Sequence, residues 1–210
     1  MNKIIKKGRP KTFNKDQANK IAMENYWKEG MENISLNEIC RRIGESKPSV
    51  YREYGGEDGL QLAALELYFN ERVEPVGQYM FGSENFIENL ESVFNFLINY
   101  HFEDTTGSSC MFTQEVLFPS KNLTLKCKKF IAKKNKELVI TLRESIIKAI
   151  DVGVLNKDIK PSIYTEYIVN QIRLIATLSD KKVAKSVLNG MVDLIMQPLK
   201  KINKINMRLV

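Results

Sequence analysis

The chain has 210 residues, of which 43% are hydrophobic and 27% charged; this excludes an intrinsically disordered polymer and allows one or two folded domains. Its 32 Lys and Arg outnumber its 25 Asp and Glu, giving a net charge of +7, which favours a polyanionic partner without naming one. Three scattered cysteines do not build a disulfide framework, no apolar run nears the roughly 20 residues of a membrane helix, and no apolar run follows the basic N-terminus as in a secretory signal. A cytoplasmic protein with no membrane partner is expected.

Residues 1–13 read as a flexible basic arm, with Lys3, Lys6, Lys7, Arg9 and Lys11. Asn14 followed by Gln17 resembles a helix cap, and Ala18, Ile21, Ala22 and Tyr26 recur at helical spacing until Gly30. Ser35 with Glu38 forms a capping-box pattern, which predicts a second helix with Ile39 and Ile43 on its apolar stripe, Cys40 beside them and Gly44 at its end. Ser46 can cap a third helix that tolerates Pro48 in its first turn. Val50 then faces inward, leaving Lys47, Ser49, Tyr51 and Arg52 outward, while Tyr54 is expected to pack against the first helix. Two short helices around a tight turn are the arrangement that sets one helix into a DNA major groove.

After Gly55-Gly56, Glu57 and Asp58 suit the start of a fourth helix, carried by Leu60, Ala63, Ala64, Leu67 and Tyr68 toward Pro75. This connector separates a DNA-binding unit, residues 1–56, from the remainder, residues 57–210. Phe86, Leu90, Val93, Phe94, Leu97 and Ile98 mark the next helix, residues 104–109 a loop, and residues 110–118 a short apolar segment closed by Pro119. A long basic helix is expected from Leu123 to Ile150, another from Pro161, and a last one after Ser179-Asp180 to about Ile202. The fold class is all-α: an N-terminal three-helix helix-turn-helix domain, a connector helix and a C-terminal helical bundle. The last two helices carry wide apolar stripes, including Ile168, Ile172, Ile175, Val187, Met191, Leu194 and Ile195. These fit a two-fold dimer face or a larger intramolecular core, because periodicity does not say which chain supplies the other side.

Several stretches carry a resemblance to a known family. They are Gly8-Arg9-Pro10-Lys11, the helix end Tyr26-Trp27-Lys28-Glu29-Gly30, Ser35-Leu36 leading to Ile39, the turn Ile43-Gly44-Glu45-Ser46-Lys47, the run Ser49-Val50-Tyr51-Arg52-Glu53-Tyr54-Gly55, and Leu60. In this order, over about fifty residues, they resemble the TetR family of transcriptional regulators, closest to its ComR/AcuR-like subgroup. Ser109-Cys110-Met111 is similar to a Gly-Cys motif of the same subgroup. The resemblance implies a homodimer on double-stranded DNA with a palindromic operator, a small-molecule effector in the C-terminal bundle, and repression. The DNA-facing set is Arg9, Lys11, Ser35, Ser46, Lys47, Pro48, Ser49, Tyr51 and Arg52, with Tyr51 donating its hydroxyl to a phosphate. Glu57 departs from the pattern, since such regulators usually carry a phosphate-binding lysine at the start of the fourth helix.

For the effector wall, Phe94, Phe96, Tyr100, Cys110, Phe112, Phe118 and Tyr167 are the candidates, though as a set they equally suit a bundle core. The expectation names no catalytic residue, no metal and no cofactor. His101 is the sole histidine, so an enzyme using Ser/His or Cys/His chemistry would have to use it. Cys110, Met111, Cys127 and His101 could offer soft metal ligands, but their spacing matches no recognised site. A thiol-sensing role for Cys110 requires exposure and a lowered pKa.

Overall fold

The computed structural model describes residues 13–81, 85–103 and 110–200. Arg9 and Lys11, and the loop expected over 104–109, lie outside the described residues. All the regular structure described is helical.

Helix α1 (Lys15–Glu29) starts where the Asn14 side chain accepts the Gln17 N–H and stops at Gly30, whose φ of 85° favours glycine. Helix α2 (Leu36–Ile43) is capped by Ser35, which accepts the Glu38 N–H, and ends at Gly44 in the left-handed region. The reciprocal half of the capping box is diverted: the Glu38 carboxylate accepts from Arg41 and Arg42. Arg42 also bonds Glu29 and Asn25 of α1, so one guanidinium clamps the first two helices. Helix α3 (Lys47–Tyr54) begins at Ser46, which accepts the Ser49 N–H, with Pro48 in its first turn as expected.

Helix α4 (Glu57–Tyr68) passes into a π-helical turn, Phe69–Val73, and then into α5 (Glu74–Phe81). The expected stop at Pro75 is therefore corrected: the helix runs through the proline. A proline lacks an N–H and crowds the carbonyl four residues back. The wider π turn, with Glu74 N–H bonded to the Phe69 carbonyl five residues back, sits just before it and relaxes that crowding. The bundle is completed by α6 (Phe86–Glu103), α7 (Met111–Leu117), α8 (Leu125–Asp151), α9 (Pro161–Asp180) and α10 (Lys185–Met196). No helix among the described residues is long and apolar enough to cross a membrane.

Two apolar cores result. The first joins Ala22, Met23 and Tyr26 of α1 to Ile39, Val50, Leu60 and Ala64, and continues into Phe112, Cys127 and Ile131 of α7 and α8. The second packs α5 and α6 with the later part of α8, α9 and α10, around Leu90, Phe94, Ile146, Ile168 and Leu188. Because α4 serves the first core and α8 serves both, the N-terminal helices and the bundle share a continuous set of packed elements.

Candidate nucleic-acid interface and interior cavity

Short α3 is held from beneath by fully buried Val50, so its other face is left to solvent. Ser35, Ser46, Lys47, Pro48 and Arg52 are exposed, Tyr51 is 46% exposed, and Ser49 is half-buried with its hydroxyl 2.9 Å from that of Ser46. Of the expected DNA-facing set, Ser46 to Arg52 thus lie at the cap of α3 or on it, and Ser35 shares a groove with Lys47. Lys47 Nζ lies 5.8 Å from the Tyr51 ring centroid, so the cation and the phenol form one unit. Tyr54 turns inward as expected: its hydroxyl donates to Asn19 Oδ1 at 2.7 Å, its ring meets Phe13 edge-on, and burial pushes its pKa up to about 12.

Two features set the rigidity and charge of this face. A Cβ placed on Gly59 would lie 1.9 Å from the Tyr54 carbonyl oxygen, so glycine alone lets α4 approach the end of α3 this closely. Glu57 is half-buried and lines the same shallow groove as Ser35 and Lys47. Its carboxylate therefore sits beside Ser35 and Lys47, where it disfavours an approaching anion. Arg41 and Arg42 hold the Glu38 carboxyl at a pKa of about 2, so the α1–α2 clamp stays charged at neutral pH.

A cavity of about 180 Å³ lies within the bundle. Each wall is one helical stripe: Val93, Phe96, Leu97 and Tyr100 from α6, Asn135, Leu138, Val139 and Leu142 from α8, and Val169, Ile172, Arg173 and Ala176 from α9. Tyr68, Arg72 and Val76 come from the continuous α4–π–α5 rod, and Cys110 and Phe112 from the start of α7. Phe96 stacks on Tyr100 with ring centroids 5.7 Å apart. Arg72 lies over both Trp27 and Tyr100, and its Nε is buried with no hydrogen-bond partner among the described residues. An unsatisfied buried donor costs about 1–3 kcal/mol. Arg173 donates to Asn135 Oδ1 at 3.1 Å.

Of the expected wall residues, Phe96, Tyr100, Cys110 and Phe112 line this cavity and three others do not. Phe94 is fully buried in the second core, because it sits one position past Val93 and turns to another side of α6. Phe118 is 71% exposed beyond the end of α7. Tyr167 donates its hydroxyl to the Ile195 carbonyl at 3.0 Å and joins α9 to α10. Arg72, Asn135 and Arg173 also line the cavity, although none belongs to the expected aromatic set. The available signal was a polar group on an apolar stripe: Arg173 has Val169, Ile172 and Ala176 at −4, −1 and +3.

The expected self-association set divides similarly. Ile168, Ile175 and Ile195 are buried in the protomer's own core, and Ile172 lines the cavity. Val187 and Leu194, 52% and 64% exposed, lie outward on α10 beside half-buried Met191. Ile163, 58% exposed, adds an apolar side chain from α9. Cys40 and Cys127 are buried in the first core, where burial pushes both thiols above their ordinary pKa. Cys110 is half-buried, and the His101 side chain lies outside the described residues.

No family model matches the sequence. The HTH-type transcriptional repressor ComR of Escherichia coli (strain K12) is 30% identical over 105 residues, half of this chain and half of that protein, so the match spans about half the length of this relative. Among solved structures, a cysteine mutant of the TetR family transcriptional regulator CifR complexed with 26-bp operator DNA superposes with a TM-score of 0.77. It shares 19% identity, covering 90% of this chain and 98% of CifR. The transcriptional regulator FadR from Bacillus subtilis, in complex with stearoyl-CoA, gives a TM-score of 0.67 at 12% identity, covering 87% and 98% of the two chains. The chain has the fold of the TetR-family transcriptional regulators.

Proposed function

We propose that this protein is a homodimeric, ligand-responsive transcriptional regulator that binds a palindromic operator and represses until a small-molecule effector releases it. The single observation that carries DNA binding is the exposed face of α3, where Lys47, Ser49, Tyr51 and Arg52 project from a helix anchored by Val50 and Tyr54. The operator-bound state of CifR and the ligand-bound state of FadR support DNA and small-molecule partners for this fold. Residues 1–56 serve as the reading unit, with Arg9 and Lys11 following the backbone or minor groove. Residues 57–210 take the effector and the second protomer, the latter through the outward side of α9 and α10 around Ile163, Val187 and Leu194.

In this reading a two-fold dimer sets two α3 helices in successive major grooves, one helical turn apart. The effector binds more tightly to a conformation with a different spacing, and that difference in affinity shifts the equilibrium. The rod from α4 through the π turn to α5 is the lever, because it contributes to both the reading head and the cavity wall. The chain acts by binding and not by turnover.

Selection from random duplexes, followed by titration of the recovered sequence, tests the reading. The expected result is one two-fold-symmetric sequence bound by wild type and weakened by Lys47→Ala. Recovery of duplexes with no common sequence overturns it and leaves a regulator-like fold used for another kind of binding.

A further inference from the structure

We propose that the cavity takes a small organic acid, with Arg72 and Arg173 holding its carboxylate and the apolar stripes covering its body. The inference deepens the reading of the chain as a ligand-responsive regulator and rests on it for its consequence at DNA.

The wall is mostly apolar, with neutral polar groups from Thr113, Asn135 and the tyrosines, and its two charged groups are guanidiniums from different elements, Arg72 from the π turn and Arg173 from α9. Among the described residues neither forms an ion pair with a carboxylate. Arg173 spends one N–H on the neutral Asn135 amide, and Arg72 is met by two aromatic faces while its Nε has no acceptor. A guanidinium does not shed its proton in a protein and carries five donors in a rigid fork. Cations bordering an apolar space are stabilised most by an anion that satisfies those donors, and a carboxylate matches the fork two bonds at a time.

The remaining wall selects the body of the ligand. Val76, Val93, Leu97 and Leu138 offer contact without hydrogen bonds, so the part beyond the carboxylate is apolar. A cavity of about 180 Å³ is smaller than the roughly 300–1,000 Å³ typical of sites for drug-sized molecules. The ligand is therefore small. Its carboxylate competes with the Trp27 and Tyr100 rings for Arg72, so occupancy acts on a side chain that also touches α1. The π turn that presents Arg72 is a form of helix often found at functional sites.

Calorimetric titration of the full chain with benzoate and hexanoate, each beside its uncharged amide, tests the ligand class. The acids are expected to bind about ten-fold or more tightly than the amides. Arg173→Gln and Arg72→Gln should each remove most of that preference while leaving amide binding in place. If Arg72→Gln does not fold, Arg173→Gln and the acid–amide comparison still decide. Equal binding of acids and amides, acid binding unaffected in the folded glutamine variants, or no binding of either acid overturns the proposal. Release of the selected duplex is measured separately: acids that bind without releasing DNA leave the ligand class standing and overturn its regulatory role.

Discussion

Arg72 links the interior cavity to the first helix: its guanidinium carbon lies 5.4 Å from the centre of the Trp27 ring and 5.7 Å from that of Tyr100. Trp27 belongs to α1 and also meets Tyr68 of α4 edge-on at 5.4 Å. The cavity wall and the N-terminal helices thus share one cation. Trp27 is the only tryptophan in the chain, which makes the relationship measurable. Saturating the cavity with a ligand that draws on Arg72 is expected to change Trp27 emission, and Arg72→Gln to abolish that change. A saturable ligand signal that persists unaltered in the variant would disprove the link.

The charge pattern beside α3 makes a separate forecast. Lys47→Ala should weaken DNA binding and make the plot of log affinity against log salt shallower by about 0.9, the effect of one lost phosphate contact. Glu57→Lys should do the reverse, strengthening binding and steepening the slope by a similar amount. Tyr51→Phe removes only a hydroxyl and is expected to cost about 0.5–1.5 kcal/mol. Fluorescence anisotropy over a salt series reads all three. An unchanged slope for Glu57→Lys would mean that this end of α4 stands away from the phosphates.

Glu38 makes stability depend on acid pH. Arg41 and Arg42 lower its pKa from the ordinary 4.5 to about 2 in the folded chain. The unfolded chain therefore takes up the proton first as pH falls, and the stabilisation is present above about 4.5 and lost toward 2. Thermal melts between these values should show Glu38→Gln losing less stability on acidification than wild type. Parallel curves for the two proteins would contradict the clamp.

Two glycines should respond in opposite ways. Gly59→Ala drives a Cβ against the Tyr54 backbone, with the oxygen at 1.9 Å and the carbonyl carbon at 2.8 Å. Neither atom can swing aside as a side chain would, so the loss should exceed the about 1–3 kcal/mol of ordinary overpacking. Gly190 is exposed on α10, and a Cβ there meets nothing within 4 Å. In an isolated protomer Gly190→Ala should stabilise the helix by roughly 0.5–1 kcal/mol.

If the outward side of α10 carries the partner protomer, a large charged side chain at Gly190 should separate the dimer without unfolding the chain. Sedimentation of Gly190→Arg beside wild type checks this. A variant that dimerises as tightly as wild type would place the interface elsewhere.

What the sequence determined by itself is local. Asn14, Ser35 and Ser46 each accept an N–H three residues ahead, and Gly30, Gly44 and Gly55 close the same three helices. These interactions span a few residues, so their pattern is readable without knowing what packs nearby. The outward face of α3 follows from that spacing once Val50 is inward. Tertiary structure decided the rest. Whether Ile168 or Leu194 meets solvent depends on how α9 and α10 rotate against α6 and α8, which no local pattern specifies. The passage of the helix through Pro75 depends on a π turn that places Arg72 against Trp27 and Tyr100. The cavity arises where stripes from helices far apart in the chain fail to fill the space between them, a packing property shared among those helices and written in none of them alone.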